Sequence, residues 1–280
     1  MTIPITKHLH LEHNSKGHDY IVGDLHGMFY ELQNLLNYVE FNEHNDRLFS
    51  VGDIIDRGPH SLKSLELINK PWFFMSKGNH EEMMIQSLIY HNPAHMDCWL
   101  NNGGQWINNI KQHSQKQLIA DLTIKLQQCP LIISVGHNHN RFNICHAELI
   151  KYNHYHEIVP ISNYTIDQWD FNEDQEFDIL WSRSIFQEYE LLKSNKLKYH
   201  SQDLSLTYTG HTPHFNHIPI QIEKHVYIDT GASMMNHHNF KYKANSRLTL
   251  VSPTKQLFFT LDYQDNILTH NINNIINFNS

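Results

Sequence analysis

Cysteine is scarce: three in 280 residues, Cys98, Cys129 and Cys145. An odd count with no CxxC spacing excludes a disulfide framework and a thiolate zinc knuckle, and points to a reducing, cytoplasmic setting. Positive charge is also short, with 21 Lys and Arg against 29 Asp and Glu and a formal net charge of -8. Broad phosphate neutralisation needs a basic face, so a nucleic-acid partner is not expected. No run approaches the roughly 20 apolar residues of a membrane span, and the opening MTIPITKHLHLEHNSKGHDY lacks the apolar core of a signal peptide. Internal repeats and long linkers are missing too. With 40% hydrophobic residues, the chain can still bury a substantial core. Histidine is the one excess, at 24. Most lie among Asn, Lys and Gln, where solvated surface is their ordinary role.

The first hundred residues alternate between two periods. DYIVGD (19–24), RLFSVGD (47–53) and WFFMSKGNH (72–80) are short apolar, β-rich runs, each ending in Gly-Asp or Gly-Asn-His. Each precedes apolar residues at helical spacing, such as Phe29, Leu32, Leu35, Leu36 and Val39 after the first. Strand-helix alternation implies parallel pairing with right-handed crossovers, which brings the three polar clusters to one sheet edge, beyond the carboxyl ends of the strands. Residues 97–128 read as helical, broken at Asn102-Gly103-Gly104. Short strands follow at 131–135, 141–148, 204–212, 219–231, 247–252 and 255–263, with a helix near 184–193. The tail after Asp265 fits a short helix weakly, through Leu268, Ile272, Ile275 and Ile276.

Those edges carry a consistent donor set. Asp24 and His26, two apart in an extended chain, point the same way and can grip one cation. Asp53 adds a carboxylate whose two oxygens can bridge two cations, and Asn79 a neutral amide oxygen. His146 and His211 sit at later strand ends, placed to complete a second metal's shell. Oxygen and imidazole without thiolate suits manganese, iron or zinc, and two such ions about 3.5 to 4 Å apart clamp an in-line phosphoryl displacement. Arg57 and Arg183 offer planar forks for phosphate. His80 is the natural general acid, with Asp56 near enough to orient it. Each residue also has a bland reading, as turn, helix cap, hydrogen-bonded histidine or surface ion pair. Five polar blocks in order weigh against it.

GDLHG (23–27), SVGDIIDRG (50–58), KGNHE (77–81), ICHAE (144–148) and TGHTP (209–213) together resemble the metallophosphoesterase signature of the PPP family of protein serine/threonine phosphatases, of the bacteriophage lambda type. LWSR (180–183) and YIDTGA (227–232) extend the likeness over roughly residues 18–235. The resemblance implies an α/β (α+β) calcineurin-like metallophosphoesterase fold, a central β-sandwich flanked by helices. It implies two divalent metal ions, most often manganese with iron or zinc as alternatives: Asp24, His26 and Asp53 on the first, Asp53, Asn79, His146 and His211 on the second. Arg57, Arg183 and Asn79 would meet the phosphate, and His80 with Asp56 would protonate the leaving group. Phosphorylated proteins or peptides would be the substrates, attacked in line by a hydroxide bridging the metals.

The expected organisation is an N-terminal extension over 1–17, a phosphoesterase domain over 18–262 with 149–203 as a cap, and a tail over 263–280. Two rival readings are a dinucleoside polyphosphate hydrolase of the same fold and a non-catalytic phosphoprotein-binding protein. The first usually carries Gln where this chain has His26, and the second has no need of His80 beside two metals.

Overall fold

The computed structural model describes residues 6–152, 158–159, 161–191, 203–214 and 218–277. The strand-helix alternation forms as the spacing predicts. Strands Asp19–Val22, Arg47–Ser50 and Phe73–Met75 run parallel, and helices Phe29–Tyr38, Ser61–Leu65 and Asn79–Leu88 follow them in turn. Arg247–Ser252, antiparallel to Asp19–Val22, then Leu257–Asp262 and Ile267–Asn271 complete a six-stranded sheet. A seven-stranded sheet has the order His8–Leu11, Ile132–Val135, Phe142–Cys145, Leu206–Thr209, His225–Tyr227, Ile220–Ile222, Ile276–Asn277.

Successive strand residues face opposite ways, and this sorts the core into layers. Tyr20, Val22, Leu48 and Leu250 pack with Leu32, Leu35, Met84 and Leu122 under the helices. Their neighbours Ile21, Phe49 and Val251 turn inward to meet Ile133, Ile144, Tyr208 and Val226 of the other sheet. The outer face of the seven-stranded sheet puts Ile132 and Cys145 against Ile166 and Ile179. The result is a β-sandwich flanked by helices, whose central strands are buried on both faces and therefore read as unbroken apolar runs.

The C-terminal tail departs from its sequence pattern. Only one 3-10 turn, Ile272–Asn274, is helical among its described residues, while Ile267–Asn271 pairs antiparallel with Leu257–Asp262. Turn chemistry overrides the weak helical spacing: Asp262 Oδ1 accepts from the Gln264 and Asn266 amides at 2.8 and 3.0 Å, closing a hairpin.

Of the cap expected over 149–203, residues 153–157, 160 and 192–202 lie outside the described residues. The remainder forms a small ribbon, Lys151–Tyr152 with Ile158–Val159, and helices Asn163–Asp167, Glu173–Trp181 and Ser184–Leu191. Ile161, Ile166, Ile179 and Leu180 pack this segment on the outer sheet face. Its turn at Ser182 carries Trp181 and Arg183 to the strand ends. Among the described residues no helix is long and apolar enough to cross a membrane.

Candidate active site

The carboxyl ends of five strands, three from one sheet and two from the other, meet at one place. Asp24 and His26 follow Val22, Asp53 follows Ser50, and Asn79 and His80 follow Met75; across the sandwich, His146 follows Cys145 and His211 follows Thr209. The Leu25 and His26 amides donate to Asp53 O at 3.1 and 2.8 Å, and the Gly210 amide to His146 O at 2.8 Å. The His211 amide donates to Asp24 Oδ2 at 3.0 Å, tying the two sheets together. A concavity of about 780 Å³ between Phe29, Leu36, Trp72 and Leu118 contains none of these residues.

The backbone between Asp24 and His26 differs from the extended chain expected of it: His26 has φ 44°, and Asp53 (50°), Asp56 (73°), Arg57 (63°) and His211 (64°) share its left-handed conformation. Such backbone costs on the order of 1–3 kcal/mol per non-glycine residue and persists only where its surroundings hold it, a pattern concentrated at functional sites.

Three imidazoles have their tautomers fixed by backbone carbonyls. His26 Nδ1 donates to Ile55 O (2.9 Å), His146 Nδ1 to Val51 O (3.0 Å) and His211 Nε2 to Trp181 O (3.1 Å). The opposite ring nitrogen is then a bare lone pair in each. His146 Nε2 faces His211 Nδ1 at 3.2 Å, Asn79 Oδ1 at 2.7 Å and Asp53 Oδ1 at 3.4 Å, while His211 Nδ1 lies 3.1 Å from Asn79 Oδ1. Four buried acceptors aimed at one another with no proton among them fit a cation. On the other side of Asp53, Oδ2 lies 3.7 Å from His26 Nε2 and 3.8 Å from His80 Nε2. Asp53 thus offers one oxygen to each of two compact groups that can hold metal ions, His26–Asp53–His80 and Asp53–His146–His211.

Electrostatics separate His80 from its neighbours. Burial, then Arg57 and His80, hold the His26 imidazole well below its usual proton affinity. Burial, then His146 and Arg183, push His211 down to about 2. Burial also works against a charged His80, but Asp53 and a 2.6 Å hydrogen bond from its Nδ1 to Asp56 Oδ2 outweigh that, so its proton affinity is raised. Distance alone would allow His80 as a ligand, whereas its charge balance, unlike that of His26 and His211, favours holding a proton. Burial would likewise raise the Asp53 carboxyl, yet His146, His80, His26 and Arg57 hold it well below the carboxylate range.

The other expected residues are at hand, in different arrangements. Asp24 lies outside both compact groups, and burial, then Asp229 and Asp53, raise its carboxyl well above normal. Arg57 is exposed and donates from Nη1 to His26 Nε2 at 2.7 Å. Arg183, half-buried, donates from Nη2 to His211 O at 3.2 Å. Cys145 packs away from the site, its thiol pushed far up by burial and Glu148.

Three buried carboxylates belong to this neighbourhood although sequence reasoning passed over them. Glu81 accepts from the Asp53, Ile54 and Gly78 amides at 2.8, 2.9 and 2.9 Å, pinning the Asp53 turn to the Asn79 turn. Asp229, within the YIDTGA block, is raised to about 6, mainly by burial, and accepts from the Gly231 amide at 2.9 Å. Glu148 gathers the Ser182 hydroxyl, the Tyr227 hydroxyl and the Ile185 and Phe186 amides, which anchors the turn that presents Arg183. In sequence, Glu81 reads as a helix-start acid and the other two as strand-end polar residues.

Residues 20–243 match the family model described as calcineurin-like phosphoesterase. A serine/threonine-protein phosphatase 2 of Escherichia coli K12 is 36% identical over 146 residues, which is 52% of this chain and 65% of the relative, so the chain spans just under two thirds of that protein. A symmetrical bis(5'-nucleosyl)-tetraphosphatase of Vibrio cholerae is 32% identical over 137 residues, 46% of this chain and 44% of the relative. In overall fold the chain is similar to a serine/threonine phosphatase structure from Saccharomyces cerevisiae, with a TM-score of 0.56 over 95% of this chain and 84% of the other at 16% identity.

Proposed function

Because this chain belongs to the calcineurin-like phosphoesterase family, we propose that it is a metal-dependent phosphoprotein phosphatase hydrolysing phosphoserine and phosphothreonine esters. The observation that carries the reading is the convergence of bare imidazole nitrogens and carboxylate oxygens on both sides of Asp53, with His80, hydrogen-bonded to Asp56, and two guanidinium groups beside them. Two divalent cations, held by Asp24, His26 and Asp53 and by Asp53, Asn79, His146 and His211, would supply positive charge for the phosphate oxygens and an acidified water as nucleophile, manganese suiting this donor set with iron or zinc as alternatives.

The chain's own groups do the rest. Arg57 exchanges its hydrogen bond to His26 Nε2 for the phosphate oxygens, since that lone pair cannot serve a guanidinium and a cation together. Arg183, presented by the Ser182 turn beside His211, takes a second non-bridging oxygen, and the Asn79 amide contributes beside it. His80 gives its Nε2 proton to the departing serine or threonine oxygen while Asp56, on Nδ1, stabilises the imidazolium. A poor alkoxide leaving group needs that proton most.

The likeness to a tetraphosphatase supports dinucleoside polyphosphate hydrolysis as the second reading. The test is phosphate release from a phosphoserine peptide and from p-nitrophenyl phosphate, and nucleotide release from diadenosine tetraphosphate, with manganese, after chelation and after manganese is restored. Manganese-dependent turnover of the peptide is expected. A marked preference for the dinucleotide would move the assignment to the second reading, and no metal-dependent turnover of any substrate would leave a phosphoprotein-binding protein.

A further inference from the structure

The segment WLNNGGQW, residues 99–106, lies outside the donor set, yet it closes over Asp56. Trp99 Nε1 donates to Asp56 Oδ2 at 2.8 Å and Trp106 Nε1 donates to Oδ1 at 2.7 Å. With His80 Nδ1 on Oδ2, every donor to this fully buried carboxylate side chain among the described residues is an aromatic ring N–H. Trp99 is fully buried and stands edge-on to Trp106, with ring centroids 6.3 Å apart. The two glycines make this approach feasible. Gly103 has φ +113° and a Cβ there would lie 2.8 Å from the Arg57 backbone nitrogen; a Cβ on Gly104 would lie 2.7 Å from the Trp99 indole. Gly103 O also accepts from the Arg57 amide at 3.3 Å. One helical corner, Pro93–Asn101 running into Gly104–Asn109, therefore braces both strained residues, Asp56 and Arg57.

We propose that Trp99 and Trp106 are positioning residues for leaving-group protonation: their two indole N–H groups fix both oxygens of Asp56, and so fix the plane in which His80 presents Nε2 to the substrate. A carboxylate held at both oxygens cannot rotate, and His80 Nδ1 has one direction in which to donate. The inference rests on the proposed acid role of His80. It predicts a selective defect, because an alkyl phosphate needs its leaving oxygen protonated and an activated aryl phosphate does not.

The experiment uses Trp99→Phe and Trp106→Phe, each alone and each combined with His80→Asn, in the full chain loaded with manganese. Turnover is read on a phosphoserine peptide and on 2,4-dinitrophenyl phosphate. Each single tryptophan variant is expected to lose about tenfold in kcat on the peptide and less than about threefold on the aryl ester, with KM for the peptide little changed. In the His80→Asn background neither substitution lowers the alkyl-to-aryl ratio further. A proportional loss on both substrates, or a selective loss that persists without His80, overturns the clamp. An unchanged ratio in His80→Asn alone overturns the acid role of His80, and the clamp with it. Where phenylalanine prevents folding, the benzothienyl side chain, in which sulfur replaces the N–H at equal ring size, runs the same comparison.

Discussion

Replacing Asp56 by Asn tests how a single buried carboxylate is shared. Asp56 accepts three hydrogen bonds, from His80 and Trp99 on Oδ2 and from Trp106 on Oδ1, and all three partners are donors. Asparagine keeps one acceptor oxygen, so its NH2 must face either one indole or the indole and imidazole together. At least one buried donor is left unpaired, and the charge assisting the His80 bond is gone. A hydrogen bond to a charged group contributes about 1.5–3 kcal/mol, which sets the expected loss of stability in the metal-free protein at about 2–4 kcal/mol.

The pH dependence has a definite sign. His80 has a folded proton affinity raised above its ordinary 6.5, so its pairing stabilises the fold fully below about pH 6.5 and is lost as pH rises through the higher folded value. Asp56→Asn should therefore destabilise the metal-free protein more at pH 6 than at pH 9. With Asp56 neutralised, burial regains weight against the imidazolium and the alkaline limb of kcat/KM should move to lower pH. Denaturant melts at the two pH values and a pH–rate profile on a phosphoserine peptide read these effects. Equal destabilisation at both pH values, with an unmoved alkaline limb, would refute the coupling of Asp56 to His80.

Other substitutions separate the remaining roles. His80→Asn should lower kcat on a phosphoserine peptide by about 10² to 10⁴ with metal content intact, measured by elemental analysis beside the assay; unchanged turnover removes it as the acid. Asp53→Asn leaves a neutral amide with one of the two carboxylate oxygens that face the compact groups, and elemental analysis should find both ions lost or substoichiometric; two ions at full occupancy would show that Asp53 does not bridge. Glu81→Gln sets an NH2 against backbone amides that now donate to a carboxylate, so unfolding free energy should fall by about 2–4 kcal/mol. An unchanged denaturation midpoint would mean those three amides find other acceptors.

What the sequence made legible was whatever depends on strand ends. Polar residues placed directly after apolar strands had to emerge at sheet edges, where Asp53, Asn79, His146 and His211 come together and Asp24 meets the His211 amide. The conformation that achieves it was hidden, because left-handed backbone at His26, Asp53 and His211 has no mark in a sequence without glycine at those positions. Glu81 and Asp229 stayed hidden for a different reason: an acid at a helix start or strand end is ordinary, and only burial reveals its task. Trp99 and Trp106 reach Asp56 from 43 and 50 residues away, a contact that no local spacing encodes. The tail was misjudged because four side chains at weak helical spacing counted for less than one aspartate closing a hairpin.

The meeting of two sheets at Asp53 has a mechanical consequence. Asp24, His26, Asp53, Asn79 and His80 all precede residue 100, whereas His146, Arg183, His211 and Asp229 all follow residue 140. The group Asp53–His146–His211, with Asn79 beside it, draws donors from both halves, so an ion seated there would act as a rivet through both layers of the sandwich. Filling of that one site should thus report the assembly of the two halves, and fragments split near residue 138 should fill it only once they have found each other.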